Sequence, residues 1–281
     1  MENFSLMGIV NVTPDSFSDG GRFDGPESAI AHALRLEAEG ADILDIGGES
    51  TRPGAEPVGV EEELSRVLPV IEGLKGKTKA AISIDTRKPL VAKAAFAAGA
   101  AIWNDVSALS YGPDSVAVAK ELDGRIILMH AKGTPENMQE APHYADVIQE
   151  VRDFFMARIR ICEQAGIAKD KLVLDPGIGF GKTLDHNIML MRNLRQFTGL
   201  GLPVLLGASR KRFIAALDRE EAAQSRLGGS LAAVLAAATQ GVRLFRVHDV
   251  AATRQALNVH FALESTGNMP QQDVMKGPQK G

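Results

Sequence analysis

Short apolar runs alternate with longer amphipathic segments along this chain, and most of the apolar runs close on a polar side chain. Leu6-Met7-Gly8-Ile9-Val10 ends at Asn11, Ala81-Ile82-Ser83-Ile84 at Asp85, and Ala101-Ile102-Trp103 at Asn104-Asp105. Ile126-Ile127-Leu128-Met129 ends at His130, and Leu172-Val173-Leu174 at Asp175. Ile43-Leu44-Asp45-Ile46 carries its carboxylate inside the run, Val204-Leu205-Leu206 leads to Ala208-Ser209-Arg210-Lys211, and Leu244-Phe245 runs into Arg246-Val247-His248-Asp249. Continuous apolar runs of this length predict buried parallel strands. Between them, Ile30, Ala33, Leu34 and Ala38 fall on one helical stripe, as do Leu64, Val67, Leu68 and Ile71, and then Ile148, Val151, Phe155, Ile159 and Cys162. Pro89 suits the first turn of another helix. A Gly/Ala-crowded helix is predicted from Leu227 to Gln240, and a last one over Ala251 to Leu263.

Eight strands alternating with eight helices predict an α/β protein, a single (β/α)8 TIM barrel with long βα loops 1 and 2, over Val12–Gly21 and Gly47–Gly54. A doubly wound open sheet is the rival. It has no need of a polar residue at nearly every strand end, whereas a barrel gathers those ends on one face. The barrel is assigned to residues 1–266, and the polar, Gly/Pro/Gln-rich stretch 267–281 to a disordered tail.

Composition narrows the setting. One cysteine, Cys162, excludes an intrachain disulfide and a multi-cysteine metal cluster and fits a reducing cytoplasm. A net charge of −4 with mixed signs gives no reason to expect nucleic acid as a partner. The start has no basic, apolar leader, and the most apolar run, Leu231 to Ala238, is too short to span a bilayer, so no membrane partner is expected.

Asn11, Asp45, Asp85, Asn104, His130, Asp175, Lys211, Arg246 and His248 would share the carboxyl face of the barrel. Any one of them alone reads as a helix cap or an ion-pair partner. Several unpaired carboxylates in a barrel mouth would cost several kcal/mol, so the set points to a ligand. Inward Asp and Asn side chains suit the amide and amino edge of a flat heterocycle, while Arg246, His248 and the Gly-rich loops suit an oxyanion. Phe17 and Phe180 sit in Gly- and Asp-rich loops with no core to fill and read as ligand-stacking rings. The run Gly177 to Thr183 ends like a phosphate-binding P-loop, but Pro176 stands where its first Gly belongs, and the histidines lack zinc-ligand spacing.

Met7 to Gly21 and Asp45 to Gly54 resemble the two signatures of the dihydropteroate synthase family, and Ile84-Asp85-Thr86, Asn104 to Ser107, Met138 to Pro142, Asp175 to Lys182, Ser209-Arg210-Lys211 and Arg246 to Asp249 follow in that family's order. The resemblance covers about Met7 to Leu263. It implies condensation of 6-hydroxymethyl-7,8-dihydropterin diphosphate with p-aminobenzoate to give 7,8-dihydropteroate and pyrophosphate, in an enzyme that sulfonamides mimic their way into. Carried over by position, Asp85, Asn104, Asp175 and Lys211 would hold the pterin. Asn11, Arg246, His248 and Thr51 would handle the diphosphate, with Asn11 on the accompanying Mg2+. Asp45 would support from behind, and Phe17, Pro53, Phe180, Ser209 and Lys211 would line the p-aminobenzoate pocket, completed when the two long loops close, with Arg52 also on the substrate. The resemblance also makes the Gly/Ala-rich helix a homodimer face, against the plainer reading that small residues there only allow close packing. Two departures stand out: His130-Ala131-Lys132-Gly133 replaces the more usual His-Met-Gln-Gly, and Arg212 follows Lys211 where Ser is common. A methyltransferase using a methylated folate, from the wider pterin-binding class, is the alternative enzyme, and a non-catalytic pterin binder the alternative of another kind.

Overall fold

The computed structural model describes residues 4–12, 25–50, 56–133, 138, 141–219 and 222–264. In chain order the elements are β1 (Ser5–Asn11), α1 (Pro26–Ala38), β2 (Ile43–Gly47), α2 (Val60–Leu74), β3 (Ala81–Asp85), α3 (Pro89–Ala98), β4 (Ile102–Asp105), α4 (Ser115–Glu121) and β5 (Arg125–Met129). There follow α5 (Val147–Ala165), β6 (Leu172–Asp175), α6 (Leu184–Arg192), α7 (Arg195–Thr198), β7 (Leu205–Leu206), α8 (Arg212–Leu217), α9 (Leu227–Ala238), β8 (Leu244–Val247) and α10 (Val250–Glu264). All ladders are parallel in the order β6-β5-β4-β3-β2-β1-β8-β7. The remaining seam, between β6 and β7, is joined by the bridge Leu174–Val204, with the Leu174 N–H donating to the Pro203 carbonyl at 2.9 Å. The open-sheet rival is thereby excluded: the strands form a barrel.

Two apolar layers hold it. Outside, the alternate strand residues Leu6, Leu44, Ile46, Ile84, Trp103, Leu128, Leu174 and Phe245 pack under the helices. Inside, each strand gives one residue to a separate cluster: Met7, Ile43, Ala81, Ile102, Ile127, Val173, Leu205 and Leu244. Side chains alternate across a strand, so the residue two positions on faces inward again, one layer higher. Those next positions include Asp45, Ser83, Asn104, Asp175 and Arg246. An apolar floor thus carries a polar ceiling on the same strands, and this is why the apolar runs end as they do.

The expected helical stripes hold in α5, where Val151, Phe155, Ile159 and Cys162 are buried. They turn slightly in the first two helices. In α1 the buried residues are Ala29, Ala33 and Leu36, with Ile30 and Leu34 only half-buried. In α2 the buried face takes in Glu63 beside Val67, Val70, Ile71 and Leu74, because a cation waits for that carboxylate. Eight helices were expected; the described residues form ten. The additional α7 and α8, of four and six residues, are too short to show a period. No described helix is long and apolar enough to cross a membrane. The stretch 267–281 lies outside the described residues.

Candidate active site

Two acids, an asparagine and an arginine meet at the top of the barrel. Arg246, on β8, donates from Nε to Asp45 Oδ2 at 2.6 Å and from Nη2 to Asp85 Oδ2 at 2.7 Å. Asn104 donates from Nδ2 to the same Asp45 oxygen at 3.0 Å. Asp45 is fully buried in the middle of β2, one layer below Asp85, so it reaches no solvent and holds its neighbours instead. The other oxygen of each carboxylate, Asp45 Oδ1 and Asp85 Oδ1, is buried and receives no hydrogen bond from the described residues. A buried acceptor left open costs about 1–3 kcal/mol, more when charged, so these atoms call for donors beyond those the described residues supply.

Across the mouth, Asp175 takes the Gly177 N–H at 2.8 Å. Lys211 precedes α8, and its Nζ lies 4.1 Å from the centre of the Phe180 ring. Ser209 Oγ is 3.0 Å from His248 Nδ1 and accepts the His248 N–H at 3.2 Å. Arg210 turns away from all of these. It grips Asp249 through Nε and Nη2 at 3.0 and 2.6 Å, tying the segment after β7 to the segment after β8.

Burial dominates the electrostatics. It pushes the Asp85 carboxyl up to about 7 against the pull of Arg246, with the Asp45 charge adding to the rise. Asp175 is likewise raised by burial, opposed by the Gly177 N–H and Lys211. Burial and the neighbouring Arg246 bring Lys211 down to about 8, and burial with Arg210 and Arg246 brings His248 down to about 3. Burial opposes the charge on Arg246, yet the two carboxylates raise it above its ordinary value. At neutral pH the mouth therefore holds a permanent cation, a neutral imidazole and two groups, Asp85 and Lys211, near their titration points.

Of the residues expected on this face, Asp45, Asp85, Asn104 and Arg246 form one bonded group, Lys211 rests over Phe180 within the field of Asp175, and Ser209 pairs with His248. Asn11 ends β1 in register with Gly47. Phe17, Thr51, Arg52 and Pro53 lie outside the described residues. His130 is buried but belongs to a wall: Lys182 Nζ stands 3.0 Å from its Nδ1. Glu49, in the loop after β2, faces the protein and not the mouth. Its carboxylate takes Lys88 at 2.8 Å, Arg87 at 3.0 Å and the Val58 N–H at 3.1 Å, so it is committed within the protein.

Sequence reasoning missed two buried lysines. Lys88 Nζ bridges Glu49 and, at 2.5 Å, the fully buried Glu63. Lys182 follows the Gly177–Gly181 turn and its Nζ reaches back into it. Lys88 lies between Asp85 and Pro89 like any loop cation, and only the charge of Glu63 in an otherwise apolar stripe hints at it. Of the departures, Lys132 donates to the His143 carbonyl and lies over the Tyr144 ring, while Arg212 is exposed on α8. A depression of about 490 Å3 at the opposite end of the barrel, beneath Ile43, Ala81 and Ile102, is rimmed by Asp123, Arg125, Asp170 and Lys171 and has no part in this site.

Comparison with known proteins agrees with this geometry. The family described as pterin binding enzyme matches residues 7–248. The dihydropteroate synthase of Escherichia coli K12 is 50% identical over 254 residues, 90% of this chain and 89% of that one. The structure of Xanthomonas albilineans dihydropteroate synthase with 4-aminobenzoic acid superposes with a TM-score of 0.90 at 52% identity, covering 95% of each chain. A sulfonamide drug complex of Yersinia pestis dihydropteroate synthase gives 0.88 at 43% identity, over 94% of this chain and 95% of that one.

Proposed function

This chain belongs to the dihydropteroate synthase family of pterin-binding enzymes, and on that premise we propose how its barrel mouth joins 6-hydroxymethyl-7,8-dihydropterin diphosphate to p-aminobenzoate. The observation that carries the reading is the pair of open carboxylate oxygens, Asp45 Oδ1 and Asp85 Oδ1, beside Asn104 and under Arg246. Asp85, Asn104, Asp175 and Lys211 hold the pterin, its N–H edge meeting the acids. Arg246, His248 and Thr51 receive the diphosphate.

The C–O bond to the diphosphate breaks with its electron pair leaving on pyrophosphate, as in an SN1 displacement. The pterin methylene becomes a cation conjugated with the ring, and Asp85 stabilises it from close range in a water-poor mouth. The neutral arylamine nitrogen attacks that carbon and releases a proton, so no strong base is needed. Phe180, Ser209 and Lys211, with Phe17, Arg52 and Pro53, form the arylamine side, where sulfonamides compete.

Mg2+ belongs to this proposal as a companion of the diphosphate. Among the described residues no cluster of three or more His, Cys, Asp or Glu side chains is placed to hold a metal. A lone amide oxygen from Asn11 fits that ion, which ordinarily takes one or two protein ligands and completes its shell with phosphate oxygens and water. Bound there, it would neutralise charge on the leaving group.

A cytoplasmic homodimer through α9 completes the reading. Gly229 already has a use within one chain, since a Cβ there would lie 2.2 Å from Ile214, while Gly228 faces open space and Leu227 is exposed. Sedimentation of the purified protein reads the oligomeric state. For the reaction, pyrophosphate release is measured with and without p-aminobenzoate and Mg2+. Release that requires both, and falls by orders of magnitude in Lys211→Ala and Asp85→Ala, is expected. No release from folded protein would overturn the reading.

A further inference from the structure

Lys182 is 3% exposed, yet its ammonium is surrounded by acceptors. Nζ lies 2.9 Å from the Gly177 carbonyl oxygen, 3.0 Å from that of Phe180 and 3.1 Å from that of His130, as well as 3.0 Å from His130 Nδ1. Lysine is almost never fully buried without a partner, and here the partners are backbone oxygens rather than a carboxylate. The turn around it depends on its glycines. Gly177, Gly179 and Gly181 all have positive φ, and a Cβ at Gly177 or Gly181 would come within 2.0 Å of the His130 oxygen or 2.1 Å of the Lys132 oxygen. Carbonyl oxygens from two strand-end segments therefore converge on the Lys182 Nζ, which donates to them although burial brings its pKa down to about 7.

What that turn carries is the Phe180 ring. Its backbone is pinned at Gly179 by Asn187 at 2.7 Å and at Gly181 by the Tyr144 hydroxyl at 2.8 Å, but the Phe180 carbonyl itself is held by Lys182. The Lys211 ammonium rests over that ring, 4.1 Å from its centre. We infer that Lys182 is a positioning residue for the arylamine half of the reaction: its ammonium, tied to the carbonyls of Gly177, Phe180 and His130, fixes the turn that sets Phe180 against Lys211. The inference rests on the arylamine assignment made above. The pterin half is steadier, because Asp175 holds the Gly177 N–H directly.

The test is Lys182→Met, which keeps the stem and removes the donors, with Tyr144→Phe as a control that removes a neighbouring tie to the same turn. In steady-state assays of pyrophosphate release, Lys182→Met is expected to raise the KM for p-aminobenzoate about tenfold or more while the KM for the pterin diphosphate stays within about threefold. Tyr144→Phe is expected to lower the melting temperature with both KM values unchanged. Equal changes in both KM values, or a lowered melting temperature alone, would make Lys182 a structural brace and overturn the inference. Should Lys182→Met be insoluble, Lys182→Gln, which retains a donor on a shorter stem, reads the same ratio.

Fluorine NMR of protein carrying 4-fluorophenylalanine gives a readout free of turnover, with the Phe180 resonance assigned by Phe180→Leu. A shifted or broadened Phe180 signal in the Lys182 variant is expected, and an unmoved one refutes the positioning role. Absence of turnover in the unaltered protein would count against the proposed reaction alone, because the fluorine signal still decides the role of Lys182.

Discussion

Arg246→Met is the perturbation that tests the electrostatic account most directly. The guanidinium spans Asp45 and Asp85 at 2.6 and 2.7 Å, and both carboxylates are buried. Methionine fills much of the stem's volume and leaves two acids facing each other without a cation. Removing one partner of a buried ion pair costs about 3–5 kcal/mol. The lower end applies here, because 22% of the Arg246 side chain reaches solvent. The loss has a pH signature. Asp85 already titrates near 7, above its ordinary 3.8, and Arg246 is the group that pulls it down, so the variant's carboxyl rises further. A carboxyl whose folded pKa is raised favours the folded state when protonated, and that stability is lost as pH rises from the unfolded value through the folded one. Urea unfolding of the two proteins should therefore differ by about 3 kcal/mol at pH 8, with the gap closing as the pH falls to about 7, where Asp85 is protonated in both folded proteins, and staying level below it. Turnover should stay lost at every pH, since protonating Asp85 does not restore a cation for the diphosphate. A gap below about 1 kcal/mol at pH 8, or one independent of pH, would refute the reasoning.

Three further outcomes follow from the same geometry. The pH profile of kcat/KM should be a narrow bell, falling on the acid side near 7 as Asp85 is protonated and on the alkaline side near 8 as Lys211 loses its charge; a plateau from pH 6 to 9 would contradict these roles. Lys88→Met strands the Glu63 carboxylate, while Glu49 keeps Arg87 and the Val58 N–H, and should cost about 3 kcal/mol in chemical unfolding, with part recovered by adding Glu63→Leu. Gly76→Ala, at φ +74 in open space, should cost about 1 kcal/mol, whereas Gly177→Ala should cost at least about 3 kcal/mol or yield insoluble protein, as melting and solubility assays will show.

The strand ends were legible from residue order because the period of a strand carries the information. In Leu172-Val173-Leu174-Asp175 the inward positions are Val173 and Asp175, so a floor residue predicts that the next polar one faces the mouth. The same step takes Ile43 to Asp45, Ile102 to Asn104 and Leu244 to Arg246. Which of these would bond to each other was not legible. Arg246 meets Asp45 from 201 positions away, and only barrel closure brings them together. The buried lysines were obscure for opposite reasons. Glu63 stands in Val60-Glu61-Glu62-Glu63, which reads as a solvated first turn, and its burial depends on Lys88 across α2 and α3. Lys182 follows three glycines in a run that reads as a failed phosphate loop, and its acceptors are backbone oxygens, which carry no residue type.

The apolar floor has a consequence for the order of events. Met7, Ile43, Ala81, Ile102, Ile127, Val173, Leu205 and Leu244 close the barrel from below, so among the described residues the polar layer above them opens toward the strand ends. Asp45 and Asn104 lie next to that seal, while Ser209, Lys211 and Phe180 come from the segments beyond the strand ends. A guest seated deep must arrive before one seated at the sill and cannot leave until the sill is clear. On the proposed assignment, the pterin diphosphate enters first, p-aminobenzoate second, and the joined product withdraws as one piece through the door by which its halves came in.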